Sequence, residues 1–403
     1  MSRRGDYRSA RSRFGRRLPW MVLVATIGAA SSVGGQSVVP TSAALLADAQ
    51  SAQRAGQLDT AIEQLYRLAR EHPGTREAVR GRLQLAQLLA LSGHLDAALL
   101  QCQRARDETS PSDLERQAAI DISTTLVREL RVQTGRRSYF PSISATTLGG
   151  IRRFVEPTTL LVIEDGTLVV ADRGEKRIYS VTGAAVTTLA STNDPTAATA
   201  LSDGTLAIAD RQGLLLGQNR STLVGTWGGS SRELRNVRAL ASNSRGVLFV
   251  VDGDYDGVLR CPSGASSCEP FGVPGEARTV KVDPSDYVYV LDDGDPLVRV
   301  FDPDGRPIAT VGPQLGSRRL REIRDIAVDR AFGVYLLDDD SRTVEVARLR
   351  RMEDGRLRAA PIASIPIPRE GPRALDRPST LGVTPDGSVL VTGRSTSTLL
   401  KLQ

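Results

Sequence analysis

Between residues 41 and 134 the apolar positions recur at three- and four-residue spacing with few β-branched runs, which predicts amphipathic helices. From residue 142 to the end the period falls to two. Short runs rich in Val, Ile, Leu and Thr alternate with Asp-Gly, Pro-Asp-Gly and Gly-Gly turns, the pattern of strands joined by tight loops. The pattern therefore predicts a multidomain α-then-all-β chain: helical hairpins over 41–134, then sheets over 142–403.

The helical part carries an internal repeat. Gly56-Gln-Leu-Asp-Thr-Ala61-Ile-Glu-Gln-Leu65 returns 37 residues later as Gly93-His-Leu-Asp-Ala-Ala98-Leu-Leu-Gln-Cys102. In each copy a glycine breaks one helix from the next, and a small alanine lets two helices approach. Pro73 and Pro111 end the second helix of each unit. Ser112-Asp-Leu-Glu115 is a capping box that opens a fifth helix over the apolar end. An ordinary helical hairpin bundle would carry the same periodicity. Gly56, Ala61, Leu65 and Pro73, with Ala86, Gly93 and Ala98, resemble tetratricopeptide repeats, whose usual period is about 34. The chain departs from that family in lacking the large aromatic and glycine of the first helix and in its three extra residues between units. The resemblance implies peptide or partner contact rather than catalysis.

The strand part repeats as well. Each unit is an apolar strand, a turn, a second apolar strand and an aspartate, first seen in Leu160-Leu-Val-Ile-Glu-Asp-Gly-Thr-Leu-Val-Val-Ala-Asp172. Later units end at Asp210, Asp252, Asp292 and Asp338, and a sixth ends at Thr392-Gly393. Six units of roughly 40 residues predict a six-bladed β-propeller, because a lone four-stranded sheet must cover both faces to be stable. The sixth unit is short of strands, so residues 143–148 are expected to supply its outer strand and close the ring. Gly150-Ile-Arg-Arg-Phe-Val-Glu-Pro157, Asp165-Gly166, Val-Val-Ala-Asp172-Arg-Gly-Glu-Lys-Arg-Ile178, Ile326-Ala-Val-Asp329 and Val383-Thr-Pro-Asp-Gly387 resemble NHL-type propeller repeats. That likeness implies the fold over about 250 residues and leaves activity open.

Composition alters the picture at one end only. The 403 residues carry a formal charge of +6, which invites a nucleic-acid reading. Seven arginines (Arg3, Arg4, Arg8, Arg11, Arg13, Arg16, Arg17) stand against Asp6 in the first 17 residues. Without them, the 52 basic and 46 acidic residues become 45 of each, so nucleic acid is not expected as a partner. The basic stretch precedes an apolar run of about 16 residues and then small residues, which reads as an export signal over 1–36. That run is short of the roughly 20 residues of a spanning helix, so no stable span is expected after cleavage. An uncleaved anchor is the alternative. Export to the periplasm or cell surface favours a disulfide between Cys261 and Cys268, while Cys102 reads as a small core residue.

The repeats share a register. Sixteen residues before the terminal aspartates stand Glu156, Asp194, Asn236, Glu276 and Glu322, with Arg377 in the sixth unit. Two residues further on come Thr158, Thr196, Arg238, Arg278, Arg324 and Ser379. Both sets open innermost strands, and residues i and i+2 of a strand share a face. They are expected to crowd one mouth of the channel as a carboxylate-rich ring beside an arginine ring. Such rings either neutralise each other or bind a polar ligand or a partner's charged segment.

Asp252-Gly-Asp254-Tyr-Asp256-Gly257 has the spacing of a calcium loop, although position twelve is Ser263 and Arg260 sits inside it. An acidic hairpin turn is the alternative. The two histidines, His72 and His94, both lie in the helical part, so histidine-ligated zinc and Ser-His-Asp or Cys-His catalysis are not expected of the propeller. The sequence thus reads as an exported, non-enzymatic scaffold or sensor of bacterial type. It would bind protein partners or a ligand through the helical groove and the propeller face, with calcium the one cofactor in view. The alternative is a calcium-dependent, lactonase- or esterase-like propeller hydrolase, with Glu156, Asp194 and Asn236 as nearest ligands. Export predicts a mature N-terminus between Ala30 and Ser37. N-terminal sequencing of envelope protein checks this, and an intact Met1 there would contradict it.

Overall fold

The computed structural model describes residues 40–108, 112–135, 138–140, 142–147, 154–163, 166–182, 185–371, 374–394 and 398–403. The stretch 1–36 read as an export signal, Pro111, Leu148, residues 150–153 and Asp165 lie outside them. Five helices come first: α1 (Ser42–Arg54), α2 (Leu58–Glu71), α3 (Arg76–Leu91), α4 (Leu95–Asp107) and α5 (Asp113–Gln133). Thr41 and Thr75 cap α1 and α3 by accepting from the N–H groups of Ala44 and Ala78, each at 3.2 Å. Ser112 and Glu115 form the capping box of α5. Gly56 and Gly93 take left-handed φ values of +73° and +81°. That conformation lets the next N–H reach back to Ala52 (2.9 Å) and Leu89 (2.8 Å) and close each helix end. Ala61 and Ala98, the small residues of the repeat, are fully buried. Each helix packs on the next, and α1, α3 and α5 also touch one another in turn.

The sheets form a six-bladed propeller. Its innermost strands are Pro157–Val162, Ala197–Ala200, Val237–Ser242, Ala277–Val282, Ile323–Val328 and Pro378–Val383, in blades 1 to 6. Each touches the next around the axis, and the sixth touches the first. In blade 6 the outer strand is Ile143–Thr147, antiparallel to Thr398–Leu402, so the chain closes its own ring as the strand count predicts. The second strands Leu168–Asp172, Leu248–Asp252, Gly333–Asp338 and Val389–Gly393 are buried at every residue. Neighbouring blades cover both their faces, which is why they read as continuous apolar runs. Blade 3 is larger than the repeat suggests. A hairpin of Val224–Trp227 and Ser230–Glu233 adds to its outer edge through a parallel pairing with Ser267–Phe271, making six strands.

The terminal aspartates of blades 1, 2 and 3 are ties within the blade, whereas Asp292 pairs with Arg299 and Asp338 accepts from Ser341 N–H. Asp172 accepts the N–H groups of Val155 (2.8 Å) and Glu156 (2.9 Å). Asp210 accepts that of Asn193, and Asp252 that of Asn236, both at 3.1 Å. Each carboxylate thus fastens the start of the inner strand to the end of the second. In blades 1, 3, 4, 5 and 6 the pairing slips just beyond, across Thr158, Arg238, Arg278, Arg324 and Ser379. A bulge of this kind re-aims the residue it skips.

Helices and sheets share one core, and residues 41–403 form one compact unit. α3 and α5 lie against the two outer strands of blade 5, Thr343–Arg351 and Leu357–Pro366, which are longer than their counterparts. Glu129 of α5 is wholly buried and paired with Arg348, also wholly buried, and with Arg350. Burial works against the Glu129 charge, but the two guanidinium groups outweigh it and hold the carboxyl below its usual range. Behind this pair, Asp329 accepts from Tyr335 Oη at 2.8 Å, and Tyr335 meets Tyr139 at 3.2 Å. The α3 and α5 faces on which a groove reading relies are therefore engaged by the chain's own fifth blade. Glu129→Ala would strand Arg348 in the core with Asp329, at 4.0 Å, as its nearest remaining carboxylate and Ala331 O as its remaining acceptor. It is expected to cost about 3–5 kcal/mol in urea unfolding. A loss below about 1 kcal/mol, the range of a surface pair, would contradict this clasp.

Candidate functional site

All six inner strands run the same way along the axis, so the channel has a start mouth and a turn mouth. The register residues stand at the start mouth. Arg173, just after the second strand of blade 1, reaches Glu156 (3.3 Å) and Asp194 of blade 2 (3.0 Å), and Arg211 also pairs with Asp194. Asn236 donates to Asp254 at 3.2 Å. Glu276, Glu322 and Arg377 are exposed at the rim. The arginines one bulge further in do not form a ring facing the register carboxylates. Asp293 receives both Arg238 of blade 3 (3.3 Å) and Arg278 (2.8 Å), while Arg324 pairs with Asp339 (2.9 Å) and Glu322 (2.7 Å). Strand alternation fails across a bulge, so Asp293 and Asp339, just past the ends of second strands, supply partners, while Glu322 is a register carboxylate that does meet its arginine. Asp293 and Asp339 each stand one residue after a terminal aspartate of the repeat, a position outside the sixteen-residue register. The equivalent position in blades 1 and 2 stitches blades directly: Thr158 donates to Pro195 O (3.2 Å) and Thr196 to Val237 O (2.6 Å).

Midway, the channel narrows to a chamber of about 50 Å³ lined by Thr158, Arg238, Thr279, Lys281, Asp325 and Thr380. Asp325 is buried and accepts the N–H of Leu381 in blade 6 at 2.8 Å. Burial pushes its carboxyl up, and Lys281 draws it partly back.

The turn mouth opens into a recess of about 630 Å³, formed where all six inner strands end. This is the size of cavity that takes a compact ligand. Blades 1 and 2 supply Leu161, Ile163 and Leu201, and blades 3 and 4 supply Asn243, Ser244 and Asp286. The turns that follow the strands are built by their first residues. Asn243 Oδ1 accepts from Arg245 and Val247 N–H, both at 3.0 Å; Asp283 Oδ1 accepts from Ser285 (2.8 Å) and Tyr287 (3.1 Å). Asp329 does the same toward Ala331 (2.7 Å) and Gly333 (2.8 Å). Each turn then needs a left-handed residue. Blades 1, 2, 3 and 6 use Gly166, Gly204, Gly246 and Gly387, but blade 4 uses Asp286 at φ +66° and blade 5 Phe332 at +61°. A non-glycine there is strained by about 1–3 kcal/mol. Asp286 uses the position to accept Ser244 N–H and Oγ–H of blade 3, each at 2.8 Å.

α3 and α5 hold two of these six turns. Gln87 Nε2 donates to Arg330 O at 2.6 Å, and Arg128 Nη1 to Asp386 O at 2.8 Å. None of the recess residues belongs to the register found in the sequence. The signal that marks them is the recurring Asn-Ser-Arg-Gly, Asp-Pro-Ser-Asp and Thr-Pro-Asp-Gly tetrad that follows each inner strand.

The other sequence candidates are placed as follows. Asp252 spends its carboxylate on Asn236 and Asp254 N–H groups (3.1 and 2.9 Å), and Asp254 accepts from Asn236. Asp256 adds a backbone carbonyl bond to Gly275 at 3.2 Å. Among the described residues no three His, Cys, Asp or Glu side chains converge as a metal cradle. Cys261 and Cys268 are joined by a disulfide that links the third and fourth strands of blade 3, and Cys102 is buried in the helical core.

No family model matches this chain, and no curated protein matches it in sequence. Solved structures match it over the propeller. A gluconolactonase from Xanthomonas campestris is 17% identical with a TM-score of 0.47, covering 65% of this chain and 90% of that one. Virginiamycin B lyase from Staphylococcus aureus is 10% identical with a TM-score of 0.43, covering 64% and 98%. An auxiliary nutrient binding protein from Bacteroides ovatus is 12% identical with a TM-score of 0.44, covering 65% and 76%. These likenesses are of fold alone.

Beside the recess, Asp283 has its carboxyl pushed up to about 7. Burial is the main cause; bonds from Tyr289 Oη, Tyr287 N and Ser285 N oppose it, and nearby Asp286 adds to it. A raised carboxyl favours the folded state most when protonated, so its contribution is full below about pH 4 and lost as pH rises through about 7. Wild type minus Asp283→Asn stability should fall by up to about 1.4 kcal/mol per pH unit over that window and stay flat above it. Urea midpoints at pH 5, 6, 7 and 8 measure the difference; parallel profiles would contradict it.

Proposed function

We propose that this chain is an exported, non-catalytic binding module whose propeller receives a compact ligand or a partner's segment at the turn mouth. The observation that carries this reading is the recess itself: about 630 Å³, contributed by all six blades and braced from one side by α3 and α5. Its carboxylates are engaged in holding turns and neighbouring blades, which suits a preformed socket better than acid–base chemistry. The Cys261–Cys268 disulfide supports an oxidising compartment and hence removal of a leader over 1–36.

In this proposal the helices are a tetratricopeptide-like unit. The sequential stacking of α1 to α5 and the left-handed Gly56 and Gly93 support that assignment. The unit acts chiefly as a brace for blades 5 and 6, and protein partners meet the outer helix faces and the propeller rim. The NHL-like assignment of the propeller rests on the repeat motifs and on the recurring turn tetrad.

The test sets binding against hydrolysis. Protein isolated from its own envelope is expected to carry a compact ligand or peptide in native mass spectrometry, lost on unfolding and absent from Ser202→Trp, which blocks the recess. It is also expected to show no turnover of lactones or simple esters with calcium present. Calcium-dependent lactone hydrolysis would overturn the proposal in favour of the hydrolase alternative.

A further inference from the structure

The chamber midway along the channel carries an unbalanced charge. Two cations line it, Arg238 from blade 3 and Lys281 from blade 4, against one carboxylate, Asp325 of blade 5. Arg238 is committed to Asp293, which it shares with Arg278, so one carboxylate serves two guanidinium groups. Asp325 is committed to backbone: Oδ1 accepts from Ile326 N–H and Oδ2 from Leu381 N–H of blade 6, both at 2.8 Å. That leaves Lys281. Its charge acts on Asp325, but its ammonium makes no ion pair or hydrogen bond with any described residue.

Hydroxyls complete the lining. Thr279 stands two residues before Lys281 on the same face of the blade 4 inner strand and is 8% exposed. Its Oγ has no hydrogen-bond partner among the described residues, and it is open to the chamber rather than sealed in the core. Thr380 of blade 6 is buried as well, with its hydroxyl 3.5 Å from that of Ser379. Thr158, by contrast, is committed to Pro195 O. Withdrawn hydroxyls without acceptors are uncommon in folded chains, and a half-buried ammonium without a counter-ion is costly.

Size and charge narrow the occupant. The chamber holds about 50 Å³, room for a few waters or one small ion and far below the roughly 300 Å³ at which organic-ligand sites begin. A cation would meet Lys281 and Arg238, with one carboxylate that already accepts two N–H groups. Water would satisfy Thr279 and leave the Lys281 charge uncompensated. A lysine ammonium is a compact point charge with three donors, which suits a small round anion better than a planar fork does.

We infer that the chamber binds one small monovalent anion of halide size, held by the Lys281 ammonium and the Thr279 and Thr380 hydroxyls. Seated there, the ion links blades 4 and 6 across the axis, at a level where the protein's own charges do not cancel. The site is separate from the recess and stands or falls independently of what the recess holds.

Chloride is the probe. The full mature chain, kept free of halide in sodium isethionate, whose anion exceeds the chamber, is titrated with sodium chloride at constant ionic strength. Excess broadening of the chloride NMR line is expected to saturate with a dissociation constant on the order of 10 mM, as one partly desolvated charge pair supplies. Lys281→Met should abolish it, whereas Lys176→Gln, at an exposed lysine, should leave it unchanged. Thr279→Val should weaken binding by about threefold or more. In about 100 mM chloride the unfolding equilibrium in urea should shift about tenfold toward the folded state in wild type, and not in Lys281→Met. Broadening that never saturates, or saturation that survives in Lys281→Met, overturns the inference. Should Lys281→Met fail to fold, competition on the wild type decides. Bromide should then remove the broadening while citrate does not, and equal removal by citrate would place the ion on the surface and overturn the chamber site.

Discussion

A strand buried along its whole length cannot stand at the edge of a solvated sheet, and in this chain four of the second strands are buried at every residue. Each blade therefore requires a neighbour on both faces, and the requirement ends only when the sixth blade meets the first. The outer strand of blade 6 comes from residues before blade 1, so the two ends of the propeller are held by one sheet. Both mouths and the chamber between them exist because that ring is shut.

The helical unit is tied to the same closure. α5 runs into the closing strand within ten residues, and Tyr139 and Phe140 on the way are buried against blades 5 and 6. Glu129 and Arg348 fasten the helix to blade 5 where neither side chain reaches water. Two buried opposite charges are seldom a large net gain over apolar packing, but either alone would be a severe loss. The pair specifies one docking of helices on propeller. The helices in turn hold the blade 5 and blade 6 turns at the recess rim, so recess shape and helical docking are physically linked.

The two mouths solve different problems with similar residues. At the start mouth, arginines and carboxylates from neighbouring blades bind each other, and the resulting belt ties blades together. At the turn mouth, carboxylates hold their own turns, and the cavity between them is open and half aliphatic. A belt of satisfied ion pairs is a weak recognition surface because a ligand must displace partners it cannot replace.

The helices, the capping box of the fifth, the blade count and even the borrowed closing strand were legible in the sequence, because each is set by local pattern or by counting repeats. Cysteines seven residues apart and glycines at helix ends also speak locally. The channel was only half legible. The sixteen-residue register runs along the start mouth, but strand alternation does not carry across the bulges at Thr158, Arg238, Arg278, Arg324 and Ser379. Asp293 and Asp339, which pair with these arginines, sit just past the ends of second strands. The recess was not legible at all, since its wall joins turns from blades that are far apart in the chain. Sequence by itself determined which elements form and how often they repeat, since those depend on neighbours a few residues away. Tertiary structure alone decided which side chains share a cavity and which charges cancel, because both depend on distances set by closing the ring.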